Sequence, residues 1–191
     1  MRCGKSLRQT VLWSIASVLI LACGCSTFGT AGAPATLELS QIHLNAPPSP
    51  KAKEYLGLQE KRTFALSEID AKIIVMGYYA IKCPFCHEQA PVSNKIYDMI
   101  GQDPELSRDV KMVGVMVGSN PEETATYAHS MNILYPMTND PFFDIYRKLG
   151  KTGVPLTLVM TRDGTILLRK TGVIADPEGL VKKIRQFNGN Q

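Results

Sequence analysis

The 191-residue chain carries little excess charge, few cysteines and no long apolar run. Lys and Arg number 21 against 17 Asp and Glu, a formal charge of +4. Three of the cations, Arg2, Lys5 and Arg8, crowd into the first eight residues, where there is no acid. Setting them aside leaves 18 basic against 17 acidic residues, and no nucleic acid is expected as a partner. Five cysteines are too few for a disulfide-stapled scaffold. The longest apolar stretch, Val11 to Ala22, is broken by Ser14 and Ser17. As a helix it rises about 18 Å, short of a hydrocarbon core of about 30 Å. Internal repeats are absent, and the methionines are scattered over core positions rather than gathered in a copper-binding tract. The remainder, 45% apolar and 20% charged, is a globular composition long enough for one buried core.

A basic start followed by a short apolar run reads as a secretory signal. The run ends in Leu19-Ile20-Leu21-Ala22-Cys23, which resembles the lipobox of a bacterial lipoprotein signal. That resemblance implies a signal over 1–22, a lipid on Cys23, and a protein anchored to a bacterial membrane and facing the periplasm. Cys25 after Gly24 is a second candidate, and a plain secretory signal or uncleaved anchor is the alternative. Residues 23–60 are expected to form a flexible tether, extended through Ala46-Pro47-Pro48-Ser49-Pro50. Leu37, Leu39, Ile42 and Leu44 alternate weakly, which leaves open a strand or arm packed on the domain.

The folded domain is expected over 61–191. Lys72 to Ala80 is a continuous run of β-formers, as in a strand buried on both faces. A helical pattern follows with Val92, Ile96, Met99 and Ile100 on one side, stopping at Gly101. Val110 to Val117 reads as a second strand. Asn120-Pro121-Glu122-Glu123, Asp140-Pro141 and Asp176-Pro177 read as helix starts, and Asp163-Gly164 as a hairpin between Leu156–Met160 and Thr165–Arg169. A βαβ opening makes one strand pair parallel, and the late hairpin adds antiparallel strands. The fold class is therefore α/β, a mixed central sheet with helices on both faces.

The chemistry lies in Cys83-Pro84-Phe85-Cys86, where a strand hands over to a helix. Two thiols three residues apart are within disulfide reach. The first sits at the helix N-terminus, where free N–H groups and the dipole favour a thiolate. Cys83 is thus the expected attacker and Cys86 the more buried resolving thiol. Pro84 suits the first turn. Lys82 supplies a cation beside the sulfur or is simply solvated. A structural zinc half-site lacks a second ligand pair, and a static disulfide closing so short a loop would add little stability. A Cys-x-x-Cys after a strand in a βαβ pattern points to redox chemistry.

From Thr63 to Phe187 the chain resembles the thioredoxin-like superfamily, in its TlpA/ResA branch of membrane-tethered bacterial thiol–disulfide oxidoreductases. The residues that carry this are Phe64 to Ile69, Tyr78 to Cys86, Pro91, Thr152-Gly153-Val154-Pro155 and Asp163-Gly164. The resemblance implies a thioredoxin-like fold and a cis Pro155 beside the thiols, with the Val154 backbone pairing with substrate. It implies no cofactor beyond a Cys83–Cys86 redox disulfide. Partners would be protein thiols or disulfides and a membrane electron donor or acceptor, with reductive use, for instance in cytochrome c maturation. Several positions depart from the family pattern: Lys82 and Tyr79 stand where tryptophan is usual, Gly77 where thioredoxins bury an acid, and Gln89 where a Glu is common. Glu88 is one position away, about 100° around a helix. His87 is a candidate for tuning the thiols.

His43 and His129 read as surface residues, and Tyr97, Phe142, Phe143 and Tyr146 as core or pocket wall. The alternative function is a copper-binding or metallochaperone module using Cys83, Cys86 and His87 or His129. A thiol peroxidase is disfavoured because its usual peroxidatic pattern is missing.

Overall fold

The structure, a computed structural model, describes residue 38 and residues 42–190. All of them belong to one compact unit, 33–191. The signal, Cys23, Cys25, Leu37 and Leu39 lie outside the described residues.

The central sheet is built on β3 (Ile73–Tyr79), whose seven residues are all buried. It pairs in parallel with β4 (Val110–Val117) and antiparallel with β6 (Leu156–Thr161). Outside these lie β5 (Met137–Asp140), parallel to β4, and β7 (Ile166–Thr171), antiparallel to β6. The strand order is β5-β4-β3-β6-β7, the mixed sheet expected from a βαβ opening and a closing hairpin.

Because side chains alternate along a strand, β3 feeds two cores. Ile74, Met76 and Tyr78 face one side, which is covered by α1 (Pro50–Leu56), α5 (Asp144–Lys148) and a small hairpin of β1 (His43–Asn45) and β2 (Thr63–Ala65). Ile73, Val75 and Tyr79 face the other side. There they meet α2 (Pro84–Gln102), α3 (Pro104–Asp109), α4 (Pro121–Ser130) and α6 (Pro177–Gly189).

Local chemistry explains most boundaries. Asn120 and Glu123 close a reciprocal capping box on α4, at 2.9 and 3.0 Å. Asp176 caps α6 by accepting from the Gly179 N–H at 2.8 Å. The helix α2 runs one residue past Gly101, to where Asp103 caps α3.

Three expectations need correction. Residues 42–60 do not form a tether. Ile42, Leu44, Leu56 and Leu58 are at most 1% exposed in the first core. The proline cluster concealed a helix start: Ser49 caps α1 and Pro50 occupies its first position, where a missing N–H costs nothing. Asp140-Pro141 is not a helix start either. Asp140 ends β5, and α5 begins four residues later, with Asp140 Oδ1 accepting from the Asp144 N–H at 2.7 Å. The intervening Phe142 and Phe143 are not core: they are 74% and 44% exposed.

Candidate active site

The strand β3 ends at Tyr79, and a three-residue turn delivers Cys83 to the N-cap of α2 with Pro84 behind it. The Cys83 backbone is extended, and its sulfur accepts the Cys86 N–H at 3.3 Å. One orphan donor of the helix end is thereby spent on the first cysteine. The same sulfur lies 3.6 Å from the Val154 carbonyl oxygen. Val154–Pro155 is a cis peptide, and the Gly172 N–H holds the Pro155 carbonyl at 2.8 Å. The topology therefore brings together residues 71 positions apart in sequence.

The two thiols, unbonded to each other here, differ sharply in surroundings. Cys83 is partly exposed and Cys86 is buried. Burial, with the hydrogen bond between the two thiols, pushes Cys86 up to about 12. Around the pair, Lys82, Pro84 and His87 are exposed, and Phe85 is 60% exposed. His87 is not aimed at the sulfurs. Its Nε2 lies 2.9 Å from the Ile81 carbonyl, so that nitrogen carries the hydrogen. The ring also packs beside Tyr127, at 5.8 Å between centroids. His87 thus ties the first turn of α2 to the loop that enters it. The Tyr127 hydroxyl donates to the Cys86 carbonyl at 3.2 Å.

Tyr79 and Gln89, two of the positions that depart from the family pattern, belong to a polar network on the α2 face of the sheet. The Tyr135 hydroxyl donates to the Tyr79 hydroxyl at 3.0 Å, and Tyr79 is 3.0 Å from Ser93 Oγ. Gln89, fully buried, accepts the Ile174 N–H at 2.8 Å and donates to Ser93 at 2.9 Å. A backbone N–H can only donate, which orients the Gln89 amide. Gly77 makes the arrangement possible: a Cβ there would overlap the Tyr79 hydroxyl and ring edge. The available signal was Gly77 and Tyr79 two apart on one strand face, but their partners Ser93 and Tyr135 lie 14 and 56 residues away. Glu88, the nearest carboxylate in sequence, is exposed.

Among the described residues, no group of three or more His, Cys, Asp and Glu side chains is placed to hold a metal ion. A cleft of about 860 Å³ lies away from the thiols, between the 45–52 segment and α2, α4 and β5, with Tyr55, Tyr97 and Tyr135 in its wall.

The fold is shared with solved structures of low identity. A thiol:disulfide interchange protein from Bacteroides sp. superposes with a TM-score of 0.60 at 12% identity, covering 83% of this chain and 91% of that one. A secreted Mycobacterium tuberculosis disulfide oxidoreductase gives 0.55 at 16%, covering 76% and 96%. StoA from Bacillus subtilis gives 0.55 at 16%, covering 78% and 96%. No curated protein matches the sequence. The model of the family described as thioredoxin-like matches residues 70–166. That stretch is just over half of the chain and runs from the threshold of β3 to the first residue of β7, so this chain belongs to the thioredoxin-like family.

Proposed function

We propose that the protein is an exported thiol–disulfide oxidoreductase acting on protein substrates through Cys83 and Cys86. The observation that carries this reading is the asymmetry of the pair: a partly exposed Cys83 sulfur receiving a helix N–H and facing the Val154 carbonyl, with Cys86 buried one turn behind. In the reductive direction the Cys83 thiolate attacks one sulfur of a substrate disulfide. A Cys83–substrate disulfide forms, and the other substrate sulfur leaves as a thiolate that takes up a proton. Cys86, as thiolate, then attacks the Cys83 sulfur and displaces the second substrate thiolate. Two electrons pass to the substrate and a Cys83–Cys86 disulfide remains. Val154 and Pro155 would hold the extended substrate chain beside the attacked bond.

The basic start, the short apolar run and Cys23 favour export with a lipid anchor and a periplasmic site, supplied with electrons by a membrane partner. Secretion of the Mycobacterium tuberculosis protein with the same fold agrees with an extracytoplasmic role. Reduction of apocytochrome c cysteines is the substrate use we favour. Cys83→Ala should abolish reduction of insulin disulfides, and Cys86→Ala should accumulate mixed disulfides that wild type does not. Wild-type turnover by Cys83→Ala would sink the proposal. The potential of the couple sets direction: about −270 mV marks a reductant and about −120 mV an oxidant.

A further inference from the structure

Among the described residues four large apolar side chains are exposed: Phe85, Leu134, Phe142 and Phe143. One exposed apolar residue is ordinary, but several gathered at one place mark a contact surface. The sheet decides which of the four belong together. Tyr79 ends β3 opposite Met116 of β4, and the next residue of β4, Val117, lies opposite Asp140, which ends β5. The strand β6 runs the other way and starts at Leu156, opposite Tyr78. One end of the sheet therefore carries Cys83 and Phe85, the Val154–Pro155 peptide, and the turn with Phe142 and Phe143. Leu134 precedes β5 and lies at the opposite end of that strand.

The turn holds its two rings by different means. Phe143 packs over Gly118, just past the end of β4, where a Cβ would come within 2.6 Å of the ring. It also meets Tyr146 edge to face, at 6.1 Å between centroids. Its left-handed φ of 59° is costly for so bulky a residue. Asp140 holds that backbone by accepting the Asp144 N–H at 2.7 Å, and the Arg147 guanidinium donates to the Phe142 carbonyl at 2.6 Å. With Phe143 packed down, Phe142 stands out on a fixed backbone, 74% exposed. The same helix reaches the thiol site. The Tyr146 carbonyl accepts the Lys151 N–H at 3.0 Å, in the loop that runs on to Val154 beside the Cys83 sulfur.

We propose that Phe142, propped on Phe143, is a second contact for the substrate polypeptide and takes an apolar side chain a few residues from its reacting cysteine. This deepens the oxidoreductase reading and rests on it. The spacing fits an extended chain. The strand β5 lies two strands from β3, about 10 Å at the usual separation. About three residues of extended chain cover that distance. A chain laid beside Val154 thus brings its side chain about three positions from the cysteine to the Phe142 ring. The substrates that offer such a side chain are unfolded or extended polypeptides, because folded proteins bury most large apolar residues.

The test uses the reduced full chain with Cys3, Cys23 and Cys25 changed to Ser, so that only the pair reacts. The probes are short Gly- and Ser-based peptides with one central cysteine, held as its disulfide with thionitrobenzoate. One carries Leu at the third position on either side of the cysteine, the other Ser. The Cys83 thiolate attacks the peptide sulfur and thionitrobenzoate, the better leaving thiolate, departs; Cys86 then frees the peptide thiol as the Cys83–Cys86 disulfide forms. Stopped flow reads the thionitrobenzoate release as a second-order rate constant. In the parent chain the Leu peptide should react about tenfold faster than the Ser peptide, the effect of covering part of one Leu side chain. Phe142→Ser should cut that ratio to about twofold or less, and Phe142→Leu should keep most of it. Leu134→Ser, which removes an exposed side chain at the other end of β5, should leave the ratio at its parent value. Equal rates for the two peptides in the parent chain, or a ratio that survives Phe142→Ser, overturns the proposal. So does a dimer in sedimentation equilibrium that Phe142→Ser dissolves while the ratio persists, since the ring then serves a second copy of the chain. Loss of all release, from 5,5′-dithiobis-(2-nitrobenzoate) as well, instead refutes Cys83 as the attacker, and this inference falls with it.

Discussion

Tyr78 and Tyr79 are neighbours in β3, both essentially buried, and they face opposite worlds. Tyr78 points into the aliphatic core and donates to the Asp140 carboxylate at 2.7 Å. Tyr79 points to the α2 side and meets only hydroxyls, those of Ser93 and Tyr135. Burial raises both phenols above their ordinary range, and for Tyr78 the carboxylate adds to it. The difference shows where the fold places buried charge. On the α5 side, Asp140 also accepts the N–H groups of Asp144 and Tyr146. It thereby holds the turn in which Phe143 adopts a left-handed φ of 59°, unusual for a bulky residue. Among the described residues the other buried carboxylate, Asp109, pairs with Arg108 and Lys72 and is not bonded to either thiol.

The strongest way to break this comparison is to remove the anion from the side where it is structural. Asp140→Ala orphans the buried Tyr78 hydroxyl and two half-buried N–H groups, and should cost about 3 kcal/mol in urea unfolding. Reduction of insulin disulfides should keep its rate in the fraction that remains folded; a slowed rate would mean the two faces are not independent. Gly77→Ala probes the other side. Its methyl displaces the Tyr79 ring, so stability should fall by about 1–3 kcal/mol in urea unfolding. Unchanged stability would show that the Tyr79 ring does not sit over Gly77.

Tyr78→Phe removes only one of the donors to Asp140. It should lower stability by about 1–2 kcal/mol, because Asp140 keeps two of its donors, and leave redox rates alone. The smallest effect is expected at the other buried acid, Asp109. Hydrogen bonds from Arg108 and then Lys72 hold its carboxyl well below the usual range. A depressed native value means that the stabilisation is present above the unfolded carboxylate value, about 4, and is lost as pH falls below it. Both cations are more than half exposed, so Lys72→Ala should cost no more than about 1 kcal/mol at pH 7. The difference from the parent chain should shrink toward pH 3.

Much of the site was readable because its chemistry is local. A strand of β-formers, Cys83 at a helix start and Cys86 one turn in follow from neighbours in sequence. So do the caps at Asn120 and Asp176. Misreadings arose where local signals have two meanings. Pro50 suits a linker and a first helical turn equally, and only the burial of Leu44, Leu56 and Leu58 decides between them. Asp140-Pro141 looks like a helix cap, but the register of β5 on β4 claims Asp140 for the sheet and moves the helix start onward.

The sequence by itself determined the βαβ handover, the order of the two thiols and the lack of an acid at Gly77 and Gln89, because each is a matter of residue identity and short spacing. Tertiary structure alone decided what fills the acid's place, which carboxylate is buried on which face, and that Val154 lies against Cys83. These depend on pairing segments 56 to 71 residues apart. Such pairing is set by sheet register and packing of the whole core, and no short window of sequence encodes it.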